Sequence, residues 1–168
     1  FWTLMYVSMF PNVVAILPQF RIANALGWVN NLNALIWPAL SGVFNIFMIR
    51  NFMKSIPKAL DEAATIDGAT SFQVYTRIIL PSIAPVMIVV GLFAFNGSWN
   101  DYLWPLLMLT DRAKMTLPIA LSTLNGQYNT EYNVLMAGSL ISMIPIIIIY
   151  LFAQKHFKNG LMAGGIKG

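Results

Sequence analysis

Residues 134–153 read VLMAGSLISMIPIIIIYLFA, a run of 20 residues without a single charged side chain. A helix needs about 20 mostly apolar residues to cross the roughly 30 Å of hydrocarbon in a bilayer. The stretch is long enough and apolar enough to predict a membrane-spanning helix. For any one such stretch taken alone, a buried core helix of a soluble protein is the alternative.

Three further stretches have the same character, and together they favour the membrane interpretation. With 58% hydrophobic and only 10% charged residues, the chain has too little polar sequence to cover a soluble core of four such helices. We therefore predict an all-α fold, a polytopic bundle of transmembrane helices surrounded by membrane lipid. The predicted spans are residues 1–20, 32–50, 83–109 and 134–153. Because residue 1 already lies inside an apolar run, we also expect the chain to be the C-terminal portion of a longer protein.

The ten basic residues are distributed unevenly between the two sides of the predicted bundle. Because Lys and Arg accumulate on the cytoplasmic side of membrane proteins, we expect residues 50–80 and the C-terminus to be cytoplasmic. The net charge of +4 then reflects topology, and nucleic acid is not an expected partner, since no basic patch with interleaved aromatic residues occurs. The cytoplasmic set is Arg50, Lys54, Lys58, Arg77, Lys155, Lys158 and Lys167, and the opposite set is Arg21, Arg112 and Lys114.

The sequence offers no constellation of residues for catalysis, for a metal or for ATP. It has no Cys, and one imidazole, that of His156, forms neither a metal site nor a catalytic triad. The phosphate-binding pattern GxxxxGK[ST] is missing. Ionisable residues that couple ions to transport are nearly missing from the spans, where only Asp101 comes close. We predict a non-enzymatic protein without a cofactor, whose energy for uphill transport would come from a partner chain.

The loop at residues 51–81 departs from the apolar pattern, so we expect a partner to bind there. Its first part is predicted to be a helix with Pro57 in the first turn and Gly68 at its end. Asp61 and Glu62 fall early in this helix, where its dipole favours acids. Small side chains beside an exposed Glu62 would let another protein approach and offer an arginine to the carboxylate. A simple connecting loop is the alternative.

A second short helix is predicted to begin at Ser71 and to end at Pro81, and the two helices contain a long motif. The pattern is E-A-A, three residues, G, nine residues, I, one residue, L-P. It resembles the EAA signature of the permeases of ATP-binding-cassette (ABC) importers. The matching residues are Glu62, Ala63, Ala64, Gly68, Ile78, Leu80 and Pro81.

Other segments resemble the carbohydrate-uptake branch of that family, in particular the second permease of maltose-type sugar importers. The resemblance covers nearly the whole chain and is most specific from residue 44 onward. Relatives usually have six spans, so the chain would hold spans three to six. The segments are FNIFMIRNF (44–52), WNDY (99–102), TLP (116–118), MAGS (136–139) and NGLMAGGIKG (159–168).

The resemblance implies a type I ABC importer permease fold with a short cytoplasmic coupling helix, in a bacterial or archaeal inner membrane. The helix would dock in a cleft of a cytoplasmic ATPase subunit, and closure of the ATPase dimer on ATP would switch access to the central cavity. A second permease subunit, an extracytoplasmic solute-binding protein and a sugar substrate are the other implied partners. The implied coupling residues are Glu62, Ala63, Ala64, Asp67, Gly68, Leu80 and Pro81.

Polar residues near the end of the third span are candidates for the substrate pathway. Amides, a hydroxyl and an indole suit the hydroxyls and apolar faces of a sugar. The same residues suit helix–helix packing, with the indole as an interface anchor, and both interpretations stay open. The residues are Asn96, Gly97, Ser98, Trp99 and Asn100.

Two polar segments offer further contacts, each with a simpler alternative. Residues 111–133 could meet a solute-binding protein or only connect two spans, and the tail from Asn159 could touch the ATPases or be a mobile terminus. Two other functions also stay open: an ABC permease for another small solute such as glycerol phosphate, and a facilitator or scaffold outside the ABC class. Co-purification with a cytoplasmic ATPase separates the ABC permeases from the others.

Overall fold

The computed structural model describes residues 1–40, 42–124 and 131–164, with side chains as far as residue 154, and every regular element in those ranges is helical. The all-α prediction is therefore confirmed. A π-helical turn, Tyr75–Ile79, joins α6 to α7, and a 3-10 turn, Arg112–Lys114, precedes α10. The α-helices are α1 (Trp2–Ser8), α2 (Asn12–Ala25), α3 (Asn33–Ala39), α4 (Val43–Ser55), α5 (Lys58–Ile66), α6 (Ser71–Val74), α7 (Leu80–Ser82), α8 (Ala84–Trp99), α9 (Leu103–Met108), α10 (Leu117–Thr123) and α11 (Tyr132–Gly164).

Within the described ranges, two helical stretches are long and apolar enough to cross a membrane. They are Asn33–Ser55, which contains α3, α4 and residue 41, which lies outside the described residues, and Tyr132–Gln154, which is most of α11. Two bent pairs pass the same test if each pair is one span: α1 with α2, bent by 103°, and Ser71–Ser82 with α8, bent by 67°. The structure therefore has between two and four candidate spans, and the count of four stays a prediction.

The helix bounds differ from the predicted spans, and two of the differences have a local cause. In the first span the chain breaks before Pro11, the extended N-cap of α2, because proline has no N–H with which to continue α1. In the third span α8 stops at Trp99, and α9 begins separately. There the Asn100 side-chain amide donates to the Asn96 carbonyl over 2.9 Å, a local bond of the kind that favours helix ends.

The prolines of the 51–81 loop also depart from expectation. Pro57 lies just outside the first turn, as the extended N-cap of α5. Pro81 does not end the second loop helix, which continues through it to Ser82 directly after the π-helical turn. The bend comes at Ile83 instead, because Pro85 has no N–H to donate to the carbonyl four residues earlier.

The chain divides into two compact units, and the first comprises Phe1–Val43 and Asn96–Ile148. Its core joins α2, α3 and α9, and the Trp104 indole N–H donates to the Ala34 carbonyl over 2.9 Å. A Cβ on Gly138 of α11 would collide with the end of the Leu121 side chain of α10, so a larger residue at this position would require that side chain to move. The buried residues of this core are Ala23, Ala34, Met108 and Leu109.

The second unit comprises Phe44–Phe95 and Ile149–Gly168. Its core joins α4 to α8, and the Phe44 and Phe93 rings meet edge to face with centroids 6.0 Å apart. Ile83, at the bend before α8, is 2% exposed and belongs to this core. The other buried members are Val86 and Val90, and the partly buried side chains packed against them are Met48, Ile49, Phe52, Ile56, Ile79 and Leu80.

Candidate functional site: the 51–81 loop

The first loop helix, α5, is short and almost wholly exposed. Asp61 lies in its first turn, where a negative charge stabilises the helix dipole. Ala64 is the one residue of α5 that is buried, and the neighbouring Glu62 and Ala63 are exposed. The predicted helix is therefore present, and the two alanines of the motif face different surroundings.

A Schellman motif ends α5 and explains the glycine of the motif. Gly68 has a φ of +81°, its N–H donates to the Thr65 carbonyl over 3.0 Å, and the Ala69 N–H donates to the Ala64 carbonyl over 2.9 Å. This pair of bonds satisfies carbonyls that the helix end leaves unpaired. No atom lies within 4 Å of a Cβ built on Gly68, so the backbone conformation, and not lack of space, favours glycine. Asp67, the other predicted residue at this end, is the exposed C-cap.

A capping box starts α6 only two residues after Gly68. The Thr70 N–H donates to Gln73 Oε1 over 2.8 Å, and the Gln73 N–H donates to Thr70 Oγ1 over 3.4 Å. The residues T-x-x-Q are visible in the sequence as a helix-start signature, which the sequence prediction did not use. The connection between the two loop helices is thus closed by hydrogen bonds on both sides, and it is short and rigid.

Large apolar side chains on the loop are exposed, and sequence reasoning did not single them out. Ile66 is 86% exposed and Phe72 is 74% exposed. Ile66 lies one helical turn after Glu62, so both project from the same side of α5. Among the residues whose side chains the structure describes, no Lys or Arg forms an ion pair with Glu62. An exposed carboxylate beside exposed apolar groups is a surface suited to a protein partner.

The C-terminal end of the motif has a different environment. Leu80 is partly buried and packs against the core formed by Ile83, Val86 and Val90, whereas Pro81 is exposed. The motif therefore joins an exposed residue, Glu62, to Leu80, which packs against the core of the second unit.

The predicted substrate-pathway residues lie at or just after the end of α8, and their contacts differ. The Trp99 indole N–H donates to the Ser142 carbonyl of α11 over 3.0 Å, which ties this side chain to a neighbouring helix. The Asn100 side-chain amide donates to both the backbone carbonyl and the side-chain Oδ1 of Asn96. Asn96, Ser98 and Asn100 remain exposed. The geometry gives Trp99 a helix-packing contact and leaves polar groups of the other three accessible.

Some predicted contacts fall outside what the structure describes. These are the polar residues 125–129 of the 111–133 segment, residues 165–168 of the tail, and the side chains of residues 155–164, including His156.

Comparisons with known proteins agree with the motif. The family described as "Binding-protein-dependent transport system inner membrane component" matches residues 1–162. The arabinooligosaccharides transport system permease protein of Halalkalibacterium halodurans is 36% identical over 168 residues, which are 100% of this chain and 60% of the relative. The trehalose/maltose transport system permease protein of Thermococcus litoralis is 35% identical over 165 residues, 96% of this chain and 59% of the relative.

A solved structure shows the same fold. It is the crystal structure of a bacterial ABC transporter involved in the import of the acidic polysaccharide alginate, and one of its chains matches with a TM-score of 0.79 and 26% sequence identity. The match covers 93% of this chain and 60% of the other. This chain thus spans about 60% of the length of the relatives it matches.

Proposed function

We infer that this chain, which belongs to the family of binding-protein-dependent transport system inner membrane components, forms part of the permease of an ATP-driven carbohydrate importer. The relatives named above are permeases of oligosaccharide transport systems, which favours a carbohydrate over another small solute such as glycerol phosphate. The chain itself is not an enzyme: in this family the permease conducts the solute and a separate subunit hydrolyses ATP.

The observation that carries the proposal is the form of the 51–81 loop. Helix α5 presents Glu62 and Ile66 to solvent on one side, and the turn after it is fixed by the bonds around Gly68. We propose that α5 enters a cleft of a cytoplasmic ATPase subunit, where a basic residue pairs with Glu62. Motion of the ATPase on ATP binding then passes through α6, α7 and Leu80 to the core of the second unit.

The same proposal includes the orientation of the chain in the membrane and its other partners. Residues 50–80 and the C-terminus face the cytoplasm, as the distribution of basic residues favours. A second permease subunit completes the pathway, and an extracytoplasmic binding protein delivers the solute from the other side. Asn96, Ser98 and Asn100 line part of the sugar pathway, and Trp99 positions the end of α8 against α11.

The test is to remove the charge of Glu62 in the assembled transporter. Loss of one partner of a desolvated, hydrogen-bonded ion pair costs 2 kcal/mol or more, so Glu62→Gln should weaken ATPase binding by about 30-fold or more. Binding is measured as the amount of ATPase that co-purifies with the transporter at increasing salt concentrations. Coupling is measured in proteoliposomes as the increase in ATP hydrolysis when the solute-loaded binding protein is added.

Asp61→Asn is the matched control, since it removes the same charge from the neighbouring exposed position on the same helix. It should leave ATPase binding within about twofold of the unmodified protein, as expected of a surface charge. Unchanged coupling in Glu62→Gln would overturn the docking proposal. If no ATPase co-purifies with the unmodified protein, the proposal that α5 docks on an ATPase is also overturned.

A further inference from the structure

A groove runs along the C-terminal half of α4, a helix to which the proposed function gives no role. Its volume is about 440 Å³, and all of its lining side chains come from this helix. The lining residues follow the spacing i, i+3, i+4, i+7, i+8, so they form one continuous stripe. They are Ile46, Ile49, Arg50, Met53 and Lys54.

The groove lies beside the packed face of α4 and does not belong to the core. Met48, Phe52 and Ile56 turn towards the core of the second unit, and Ile49 borders both surfaces. Ile46 is 41% exposed and Met53 is 37% exposed. The stripe is therefore an accessible surface, apolar towards the middle of the helix and cationic towards its end.

The position of the two cations along the span places them at the membrane surface. Residues 32–50 are the predicted span and residues 50–80 the predicted cytoplasmic loop, so Arg50 and Lys54 lie where the apolar run ends, at the level of the lipid headgroups. Lys54 belongs to the last turn of α4. Among the side chains that the structure describes, no Asp or Glu forms an ion pair with Lys54.

We propose that this groove binds an anionic phospholipid, with its phosphate between Arg50 and Lys54 and an acyl chain along Ile46 and Met53. Two cations one helical turn apart can share one phosphate, and the apolar part of the stripe continues in the direction of the acyl chains. Lys54 also interacts favourably with the C-terminal end of the helix dipole, but that role requires neither Arg50 nor the apolar groove. The leaflet, which is the cytoplasmic one, follows from the sidedness given under the proposed function.

The experiment measures lipids retained by the purified transporter complex. Native mass spectrometry compares retention of phosphatidylglycerol with that of phosphatidylcholine, using the unmodified protein and the variants Lys54→Gln and Arg50→Gln/Lys54→Gln. Each basic residue near a membrane surface contributes enough to change binding about fivefold, so the single variant should lose about fivefold of the phosphatidylglycerol preference and the double variant about 25-fold.

Lys58→Gln is the charge-matched control, because Lys58 is an exposed cation near the same helix end but outside the groove. It should keep the full lipid preference. Equal losses in the control and in Lys54→Gln would overturn the proposal, since they would show attraction to net charge alone. Displacement of the bound lipid by excess inorganic phosphate would also overturn it, because the groove would then recognise a free anion.

A photo-crosslinking residue in place of Met53 identifies the occupant directly. Crosslinks to phospholipid support the proposal, and crosslinks to another protein chain overturn it by showing that α4 is part of a protein interface. Co-purification of the ATPase is measured in the same samples. A failure of lipid binding with the ATPase still bound would leave the coupling proposal intact, and the reverse result would leave the lipid site intact.

Discussion

Two helices of this protein end in the same way, but in different surroundings. Helix α2 ends in the turn at residues 23–28, named here the Gly27 turn, and α5 ends in the turn at residues 64–69, the Gly68 turn. The two glycines have φ values of +69° and +81°. In each turn, two backbone bonds of 2.8–3.0 Å complete a Schellman motif. The backbone geometry is shared, so any difference in role arises from the side chains around each turn.

The Gly27 turn is built into the core of the first unit. Ala23 is 4% exposed, and Trp28 packs against the same core and stacks on Trp37 with a centroid distance of 6.4 Å. Two residues further on, Asn30 is tied to a distant part of the chain. Its N–H donates to the Met108 carbonyl over 2.7 Å, and its carbonyl accepts a bond from Lys114 Nζ over 2.9 Å.

The Gly68 turn is held mainly by its own neighbours in sequence. The capping box at Thr70 and Gln73 follows it, and the large apolar side chains beside it, Ile66 and Phe72, point to solvent. A turn closed by local hydrogen bonds keeps its form without using its apolar side chains, which stay available to a partner. The Gly27 turn therefore contributes to the stability of the core, whereas the Gly68 turn presents apolar side chains at the surface.

Removing the Trp28 side chain should lower the free energy of unfolding more than any other change to the two turns. Trp28→Ala removes a partly buried indole that contacts the core, so it should destabilise the protein by about 3 kcal/mol. Denaturant-induced unfolding in detergent micelles measures the change. Trp2→Ala is the matched control, since Trp2 is 72% exposed and its loss should cost less than 1 kcal/mol. Equal losses for the two variants would show that the Gly27 turn does not depend on its core contacts.

A smaller effect is expected from substituting the glycines themselves. Neither glycine has an atom within 4 Å of a built Cβ, so Gly27→Ala and Gly68→Ala should each cost about 1 kcal/mol through the positive φ alone. Only Gly68→Ala should also reduce the coupling of transport to ATP hydrolysis. Asparagine tolerates this conformation better than alanine, so Gly68→Asn should retain most of the stability and most of the coupling that Gly68→Ala loses. Loss of coupling in Gly68→Asn with unchanged stability would show that side-chain size matters there, contrary to the open space in the structure.

The sequence predicted the features that depend on local pattern. Helix α5, its end at Gly68 and the all-α class follow from apolar runs, from the positions of Gly and Pro, and from the EAA motif. The contacts of the motif did not follow: the burial of Ala64 beside the exposed Ala63 depends on which side of α5 faces the protein. Nothing in the periodicity of so short a helix determines that side.

The bends and the long-range contacts also required the structure. Proline in a membrane helix can kink it or be tolerated, so the break at Pro11 and the passage of the helix through Pro81 depend on the neighbouring turns. The hydrogen bond from Trp99 to Ser142 joins residues 43 positions apart. Such pairs arise from tertiary packing, which is why the sequence left the role of Trp99 between a sugar contact and a packing anchor.

The smallest change in stability is expected for a variant of the Gly68 turn that should nevertheless weaken ATPase binding. Ile66→Ser removes a side chain that is 86% exposed, so unfolding should change by no more than about 0.5 kcal/mol. If the Gly68 turn presents a docking surface, the same variant should weaken ATPase binding by about tenfold, as expected for an apolar side chain that becomes buried at an interface. Leu26→Ser is the control at the Gly27 turn: Leu26 is 53% exposed, and its loss should leave ATPase binding unchanged. Binding is measured by titrating the purified ATPase onto the transporter in nanodiscs. Equal affinities for the two serine variants would mean that the exposed apolar side chains of the Gly68 turn are not buried by the ATPase, and the distinction between the two turns would then rest on Glu62 alone.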